Sequence, residues 1–162
     1  MAKSTPPPVA FLFRHPAHLI ACGFGSGLSP WAPGTIGTLF AWASYPLLRP
    51  WFDELGFILL LITCYIGGVL ACHRTGKNLG EADHGSIVWD EIVPFWAVLF
   101  LCPEGWLWQT TAFFLFRFFD IVKPPPACNF DRIKNGFGVM TDDVFAAAYT
   151  VLVLALLKFI LG

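Results

Sequence analysis

Two uninterrupted apolar runs constrain the fold of this chain more than any other feature. Leu55–Cys72 is 18 residues long and carries no charge, and Val144–Leu161 is 18 residues long with Lys158 near its end as the one charged side chain. As an α-helix with a rise of about 1.5 Å per residue, each run would reach ~27 Å, close to the hydrocarbon thickness of a bilayer. Both runs therefore predict membrane-spanning helices.

Three further segments are apolar in the middle and interrupted toward one end by proline or charge. They are Ile36–Trp51, Ile87–Cys102 and Trp106–Val122. If all five segments are helices, the chain is an all-α, polytopic membrane bundle of about four to five hydrophobic helices. An alternative stays open, because segments of roughly 16 residues are short for a span and suit the core helices of a protein that rests on the membrane surface.

The composition agrees with a membrane protein and excludes several other classes. The chain is 56% hydrophobic and 13% charged, with a mean hydropathy of +0.65, whereas soluble domains are roughly 25% charged. A net charge of −1 gives no reason to expect a nucleic acid partner. We expect one domain over residues 17–162 after a flexible, proline-rich lead at residues 1–16, and the sequence does not indicate an oligomeric state.

The loops between the apolar segments alternate in length. Phe52–Glu54 and Pro103–Gly105 are very short, whereas His73–Ser86 and Lys123–Asp143 are long and charged. Five spans would place both long loops, and the glycine-rich stretch Gly23–Thr38, on the side of the N-terminus. Most lysine and arginine residues lie on that side, so the positive-inside rule predicts that the motif loops are cytoplasmic.

Most of the acidic residues fall on this same face. Eight of the eleven carboxylates gather there: Glu81, Asp83, Asp90, Glu91, Asp120, Asp131, Asp142 and Asp143. Two carboxylates 4 Å apart repel by about 1 kcal/mol in water and about 4 kcal/mol at an effective dielectric of 20. The pattern therefore predicts a bound cation. Mg²⁺ commonly takes one or two carboxylates together with a substrate phosphate, so some of these acids would have structural roles.

The stretch from Asp83 to Glu91 leads into an apolar helix. Ionisable groups such as Asp90 and Glu91 are costly in such a helix and are usually functional. The structural alternative is that Asp83 or Ser86 caps the helix and that the two following acids face water at its end.

Two other charged groups flank the last two apolar segments. Arg117, Asp120 and Lys123 share one face of a helix, either as an internal ion-pair ladder or as a metal-binding acid between two phosphate-binding cations. Asp142 and Asp143 begin the last segment, where a helix dipole alone would stabilise them.

The glycine-rich stretch suits the close approach of an oxyanion. Gly34 offers backbone access, and Thr35 could cap the next helix, whose positive end favours phosphate. We expect no regular helix before Thr35, and a plain tight turn is the alternative. The stretch is neither a Walker A loop nor a dinucleotide fingerprint, since no lysine follows the glycines and no strand precedes them.

The cysteines and histidines do not suggest a nucleophile or a zinc site. The five cysteines include no CxxC pair, and none begins a Cys-x₅-Arg loop, because Cys128 lies only four residues before Arg132. The four histidines show no metal-binding spacing. If the site acts on a bound phosphate, the remaining nucleophiles are water or a carboxylate.

Four ordered motifs together resemble one family. The runs GFGSGLSPWAPGTIGT, DHGSIVWDE, FRFFDIVKPPP and DRIKNGFGVMTDD are similar to the signature of the phosphatidylglycerophosphatase A family, from about Ala17 to Leu161. The resemblance implies a Mg²⁺-dependent, multi-pass phosphatase of the bacterial inner membrane, which removes the terminal phosphate of phosphatidylglycerophosphate. Pro125 and Asn135 depart from the family pattern, which often has an aromatic residue and a glycine there.

The resemblance and the charge pattern together assign roles. The candidate catalytic residues are Asp83, Asp90, Glu91, Asp120 and Asp143. The candidate Mg²⁺ ligands are Asp90, Glu91, Asp120, Asp142 and Asp143. The candidate phosphate-binding residues are Arg117, Lys123, Arg132, Gly34 and Thr35. The competing functions are a small transporter of divalent cation or phosphate and a non-catalytic scaffold, but transporter sites usually lie near the membrane midplane rather than at one face.

Overall fold

The computed structural model describes residues 5–161, apart from the side chain of Asp131, and these residues form helices and no β-strand. The α-helices are α1 (Pro16–Ala21), α2 (Pro33–Leu48), α3 (Glu54–Leu79), α4 (Trp89–Leu101), α5 (Trp106–Val122), α6 (Ala127–Asp131) and α7 (Gly136–Leu161). Short 3₁₀ segments cover Val9–Arg14, Gly23–Leu28 and Arg49–Trp51. The all-α prediction is confirmed. Residues 1–4 of the predicted lead, Gly162 and the Asp131 side chain lie outside the described residues.

The two strongest apolar runs form the two longest helices. α3 and α7 are 26 residues each, and both are long and apolar enough to cross a membrane. Only 22% of the most apolar 18-residue stretch of each helix is buried in the bundle. Large apolar side chains such as Leu70 and Leu152 are exposed. These surfaces suit a lipid environment better than the core of a soluble protein.

The prediction of four to five spans is not confirmed. α2, α4 and α5 contain 16, 13 and 17 residues, so each is shorter than the ~20 residues of a typical span. α4 is the core helix of the bundle, since it packs against α2, α3, α5 and α7 and is buried continuously from Trp89 to Trp96. For this segment the alternative of a buried core helix therefore fits the structure better than a lipid-facing span.

Both long helices extend into regions predicted to be loops, so those two loop boundaries were wrong. α3 continues past Cys72 and stops at Gly80, which adopts a left-handed conformation with φ 77°. α7 begins at Gly136 because the Asn135 side chain accepts hydrogen bonds of 3.0 Å from the amides of Phe137 and Gly138, as a helix cap does. The first turn of α7 contains no acid, so Asp142 and Asp143, predicted at the start of this helix, lie well inside it.

The remaining boundaries follow the sequence more closely. α5 has the predicted limits, whereas α2 begins at Pro33, so Thr35 lies inside its first turn and does not cap the helix as predicted. Proline is well suited to the first helical position because its missing N–H has no partner there. Within the predicted lead, Val9–Arg14 forms a 3₁₀ turn with Phe11 buried.

Candidate active site

An arginine on α5 joins acids from two helices at one end of the bundle. The Arg117 guanidinium donates to Glu91 Oε2 on α4 and, at 2.7 Å, to Asp120 Oδ2 one turn further along α5. Thr38 of α2 lies with its hydroxyl 2.9 Å from Glu91 Oε2. α2, α4 and α5 therefore each contribute a side chain to one buried polar network.

Glycines on α2 allow this network to form. A Cβ on Gly34 would collide with the Glu91 carboxylate, and a Cβ on Gly37 would lie 2.7 Å from Val88 Cβ. Such contacts are too short for any other residue, so glycine at both positions lets α2 approach the start of α4. In the structure, Gly34 thus makes room for Glu91, whereas it was predicted to approach a phosphate; the role in phosphate binding stays a prediction.

Three further acids are buried beside this network. Asp90 is 7% exposed, Asp142 4% and Asp143 3%. Lys123, at the end of α5, forms an ion pair with Asp142 Oδ2, and Asp142 Oδ1 accepts from the Asp143 amide at 3.0 Å. The long start of α7 brings these two aspartates into the bundle next to α4 and α5.

The five acids form one electrostatic cluster. Asp143 lies close enough to the other four carboxylates to interact with them electrostatically. These are Asp90, Glu91, Asp120 and Asp142. Two cations, Arg117 and Lys123, pair with members of the cluster, so five carboxylates and two cations leave a formal charge of −3 when all are ionised. Buried like charges are costly, and this excess favours binding of a cation.

Two buried atoms of the cluster lack hydrogen-bond partners among the described residues: Asp90 Oδ1 and Arg117 Nε. Buried polar atoms are nearly always satisfied in folded proteins. One of these atoms is an acceptor and the other a donor, so they suit a cation and an anionic oxygen respectively. The possible metal ligands of the cluster are carboxylate oxygens, which Mg²⁺ prefers. In the described part of the chain, no three histidine, cysteine or acidic side chains are arranged as a ready-made metal site.

A cavity of about 690 Å³ opens beside the cluster. Its lining consists of Glu81, Ala82, Asp83, Asp120, Ile121, Lys123 and Lys134. The structure thus brings Asp83 to the same cavity as Asp120 and Lys123, while their roles in catalysis and binding stay predictions. Arg132 is exposed and has no ion pair with another described residue, while Thr35 is half-buried near the start of α2.

Sequence reasoning missed two residues of this region. Thr38 follows Gly34 by four residues, so helical spacing placed it on the same face as the glycine that contacts Glu91. Lys134 lies two residues after Arg132 and lines the cavity. No local signal separates these two exposed cations, because the path of the chain between α6 and α7 decides which of them faces the cavity.

The nearest cysteine to the glycine-rich stretch is unsuited to be a nucleophile. Cys22 is fully buried, and this burial raises the pKa of its thiol to about 11. The thiolate is the nucleophilic form of cysteine, so Cys22 would be almost entirely protonated at neutral pH. This agrees with the prediction of water or a carboxylate as nucleophile.

Comparison with known proteins points to one family. The family model for phosphatidylglycerophosphatase A matches residues 19–158. Phosphatidylglycerophosphatase A of Haemophilus influenzae is 44% identical over 147 residues, which cover 90% of each chain. Phosphatidylglycerophosphatase A of Escherichia coli is 44% identical over 136 residues, 82% of this chain and 77% of the relative.

One relative carries a different name. A putative phosphatidylinositol-3-phosphatase of Bacteroides thetaiotaomicron is 38% identical over 151 residues, covering 89% of this chain and 94% of the relative. No solved structure matches the chain. From the family match and from relatives similar over most of their length, the chain belongs to the phosphatidylglycerophosphatase A family.

Proposed function

We propose that this protein is a lipid phosphatase that hydrolyses the terminal phosphomonoester of phosphatidylglycerophosphate to give phosphatidylglycerol and inorganic phosphate. The observation that carries the proposal is the pair of unsatisfied buried atoms, Asp90 Oδ1 and Arg117 Nε, at the point where the four motifs meet. Family membership supports the same activity.

The charged residues account for phosphate binding. Arg117 and Lys123 are held by carboxylates in the structure, and an entering phosphomonoester would exchange for some of these partners. Arginine matches the oxygens of a phosphate through paired N–H donors, and fixed cations stabilise the charge that spreads over those oxygens in phosphoryl transfer. The lipid tails would remain in the bilayer while the headgroup enters the cavity.

The composition of the cluster supports Mg²⁺ as the cation of the proposed reaction. Asp90, Glu91, Asp120, Asp142 and Asp143 provide more carboxylate oxygens than one ion needs. When bound, Mg²⁺ would neutralise phosphate oxygens and polarise the ester. The surrounding carboxylates would orient the attacking group, which is either water that gives its proton to a carboxylate or a carboxylate itself. The P–O bond to the glycerol breaks, and the glycerol oxygen takes up a proton. Where a carboxylate attacks, the acyl phosphate that results would then be cleaved by water, which restores the carboxylate and releases inorganic phosphate.

The location we propose is the bacterial inner membrane, with the charged motifs on the cytoplasmic side. The outward-facing apolar surfaces of α3 and α7 support membrane insertion, and the excess of lysine and arginine near the motifs supports the orientation. A site at one end of the bundle would meet the headgroup at the depth of the membrane surface.

The comparisons do not support transport, the alternative considered from sequence. They do not decide which lipid headgroup is the substrate, because one relative is named for an inositol lipid. Phosphatidylglycerophosphate and phosphatidylinositol 3-phosphate share a phosphodiester next to the lipid and a phosphomonoester further out on a polyol. This shared pattern is the substrate class that we propose.

The test is phosphate release by the purified protein from phosphatidylglycerophosphate in detergent micelles, without any ion gradient. We expect release with Mg²⁺, loss of release with EDTA, and recovery when Mg²⁺ is restored. Asp143→Asn should abolish release, whereas the control Cys22→Ser should retain it. A folded wild-type protein that releases no phosphate would overturn the proposed function, and equal release in EDTA would overturn the metal requirement alone.

A further inference from the structure

Two cavities meet at Lys134 on the charged face of the protein. The larger one, of about 690 Å³, contains Asp120 and Lys123 of the candidate active site. The smaller one, of about 270 Å³, is lined by Lys77 and other residues at the end of α3 and the start of α7. Lys134 lines both cavities together with Glu81 and Ala82, so it stands at the rim of the active-site cavity rather than within the buried cluster.

The backbone at Lys134 is held by the helix cap that follows it, while its ammonium group is accessible to a ligand. It directly precedes Asn135, whose side chain caps α7 through two hydrogen bonds of 3.0 Å. The Lys134 side chain is exposed and has no ion pair with any described residue. By contrast, the other lysine of the cavity, Lys123, is paired with Asp142. The cavity therefore offers one cation within the catalytic cluster and a second one at its rim.

This arrangement matches the distribution of charge in the proposed substrate class. The phosphomonoester that is cleaved carries most of the charge and would lie at the buried cluster. The phosphodiester carries one negative charge and lies a short polyol away, on the side of the lipid tails. A lysine ammonium, which acts as a point charge on a flexible stem, suits a singly charged diester better than it suits the bidentate geometry of a terminal phosphate.

We infer that Lys134 binds the phosphodiester of the lipid substrate and thereby selects lipids whose reactive phosphate lies beyond such a diester. This inference rests on the proposed function and adds a second phosphate subsite to it. Binding at the diester positions the headgroup but makes no contact with the reacting phosphorus. Loss of Lys134 should therefore weaken binding more than turnover.

The product provides an independent probe of this subsite. Phosphatidylglycerol retains the diester and lacks the monoester, so it should inhibit through Lys134. Inorganic phosphate resembles the monoester alone and should inhibit through the buried cluster. Oleate supplies negative charge to the micelle surface without any phosphate. The three inhibitors thus separate the diester subsite, the monoester site and general surface charge.

The experiment compares Lys134→Gln with Lys77→Gln, which removes the same charge from the neighbouring cavity on the same face. Steady-state hydrolysis of phosphatidylglycerophosphate is measured in neutral detergent micelles with each of the three inhibitors. For Lys134→Gln we expect KM to rise about five- to tenfold with kcat little changed, as for loss of one hydrogen bond of ordinary strength at a solvent-exposed position. Inhibition by phosphatidylglycerol should weaken by a similar factor, while inhibition by phosphate and by oleate should be unchanged.

Each outcome bears on the inference separately from the proposed function. Lys77→Gln should behave like wild type, and Lys134→Arg should restore KM. Unchanged KM and unchanged inhibition by phosphatidylglycerol in Lys134→Gln would overturn the diester subsite while leaving the phosphatase function intact. Equal effects in both variants, or altered inhibition by oleate, would instead assign Lys134 to general surface charge. A wild-type protein without activity would overturn the proposed function and the subsite with it.

Discussion

Arg117 and Arg49 lie near opposite ends of α4 and have different kinds of partner. Arg117 lies near Glu91 at the start of α4, and Arg49 lies near Phe100 at its end. The Arg117 guanidinium contacts the carboxylates of Glu91 and Asp120. The Arg49 guanidinium carbon lies 5.7 Å from the ring centre of Phe57 and 5.3 Å from that of Phe100, and Nη1 donates to the Phe52 carbonyl at 2.6 Å. An arginine within an apolar bundle therefore does not by itself mark an active site. Its partners decide whether it stabilises the fold or faces a ligand.

The largest effect should come from removing a charge at the acidic end. Glu91→Gln preserves the shape of the side chain but removes the carboxylate that joins α2, α4 and α5. We expect kcat to fall by about 10²- to 10³-fold, as when a preorganised electrostatic group is lost. Phosphate release at saturating substrate gives the rate, and circular dichroism in detergent checks the fold. Near-normal turnover would remove Glu91 from the catalytic machinery.

Matched Arg→Lys substitutions test the comparison directly. Arg117→Lys should lower kcat about 100-fold, because a lysine cannot reproduce the planar set of donors. Arg49→Lys should leave kcat unchanged and lower thermal stability slightly, since the contact of a cation with aromatic rings contributes about 0.5–1 kcal/mol. Both variants are assayed for turnover and for thermal unfolding in the same detergent. A loss of turnover in Arg49→Lys, with the fold retained, would contradict the division between the two ends.

A third prediction concerns the close approach of α2 to α4. Gly34→Ala places a methyl group against the Glu91 carboxylate, so it should destabilise the fold by about 1–3 kcal/mol, as expected of overpacking, and lower kcat. Gly67→Ala on α3 is the matched control, since a Cβ there meets no atom within 4 Å. The control should be neutral or slightly stabilising in thermal unfolding. Similar behaviour of the two variants would show that the contact at Gly34 can relax.

The smallest expected effect is a pH dependence of stability caused by His18, which contacts neither Arg117 nor Arg49. Burial lowers the pKa of the His18 imidazole from its usual 6.5, with added repulsion from nearby cationic side chains. His18 Nε2 lies 3.0 Å from the Asn78 amide nitrogen and Nδ1 lies 2.9 Å from the Thr75 hydroxyl. The amide nitrogen can only donate, so the ring is neutral, with its proton on Nδ1.

Protonation of His18 is disfavoured in the folded state, so it lowers the free energy of unfolding only at acidic pH. Stability is retained above about pH 6.5 and falls as the pH is lowered through 6.5 toward the lower folded-state pKa. Thermal unfolding between pH 7.5 and pH 5 measures this loss. His18→Gln should flatten the part of the profile that His18 causes. An identical profile in that variant would assign the pH dependence to other groups.

Much of the fold was predictable where one physical signal dominates. Long apolar runs predicted the helices that became α3 and α7, and the proline and glycine boundaries of α5 were located correctly. The number of spans was not predictable, because hydropathy is similar for a helix that faces lipid and for one that is surrounded by other helices. α4 has the second role, which its composition does not reveal.

The site was predictable as a set of motifs but not as a set of contacts. Lys123 was predicted on the same helix face as Arg117 and Asp120, but it lies just beyond the end of α5 with a left-handed φ of 46°. The spacing correctly suggested that Arg117 and Asp120 share one face. It could not show that Arg117 would also reach Glu91, because that contact depends on how α5 packs beside α4. Nor could it reveal Thr38, whose hydroxyl reaches Glu91 only because two glycines bring α2 close.

The burial of α4 has a consequence for how the protein can vary. Asp90 and Glu91 lie at the start of a helix that touches five others, so their positions depend on the whole bundle rather than on one hinge or loop. The outward faces of α3 and α7 carry no such constraint beyond being apolar. In a saturation mutagenesis library, we would therefore expect tolerance to vary around the circumference of each long helix, with freely exchangeable apolar residues outside and almost none along the side that touches α4.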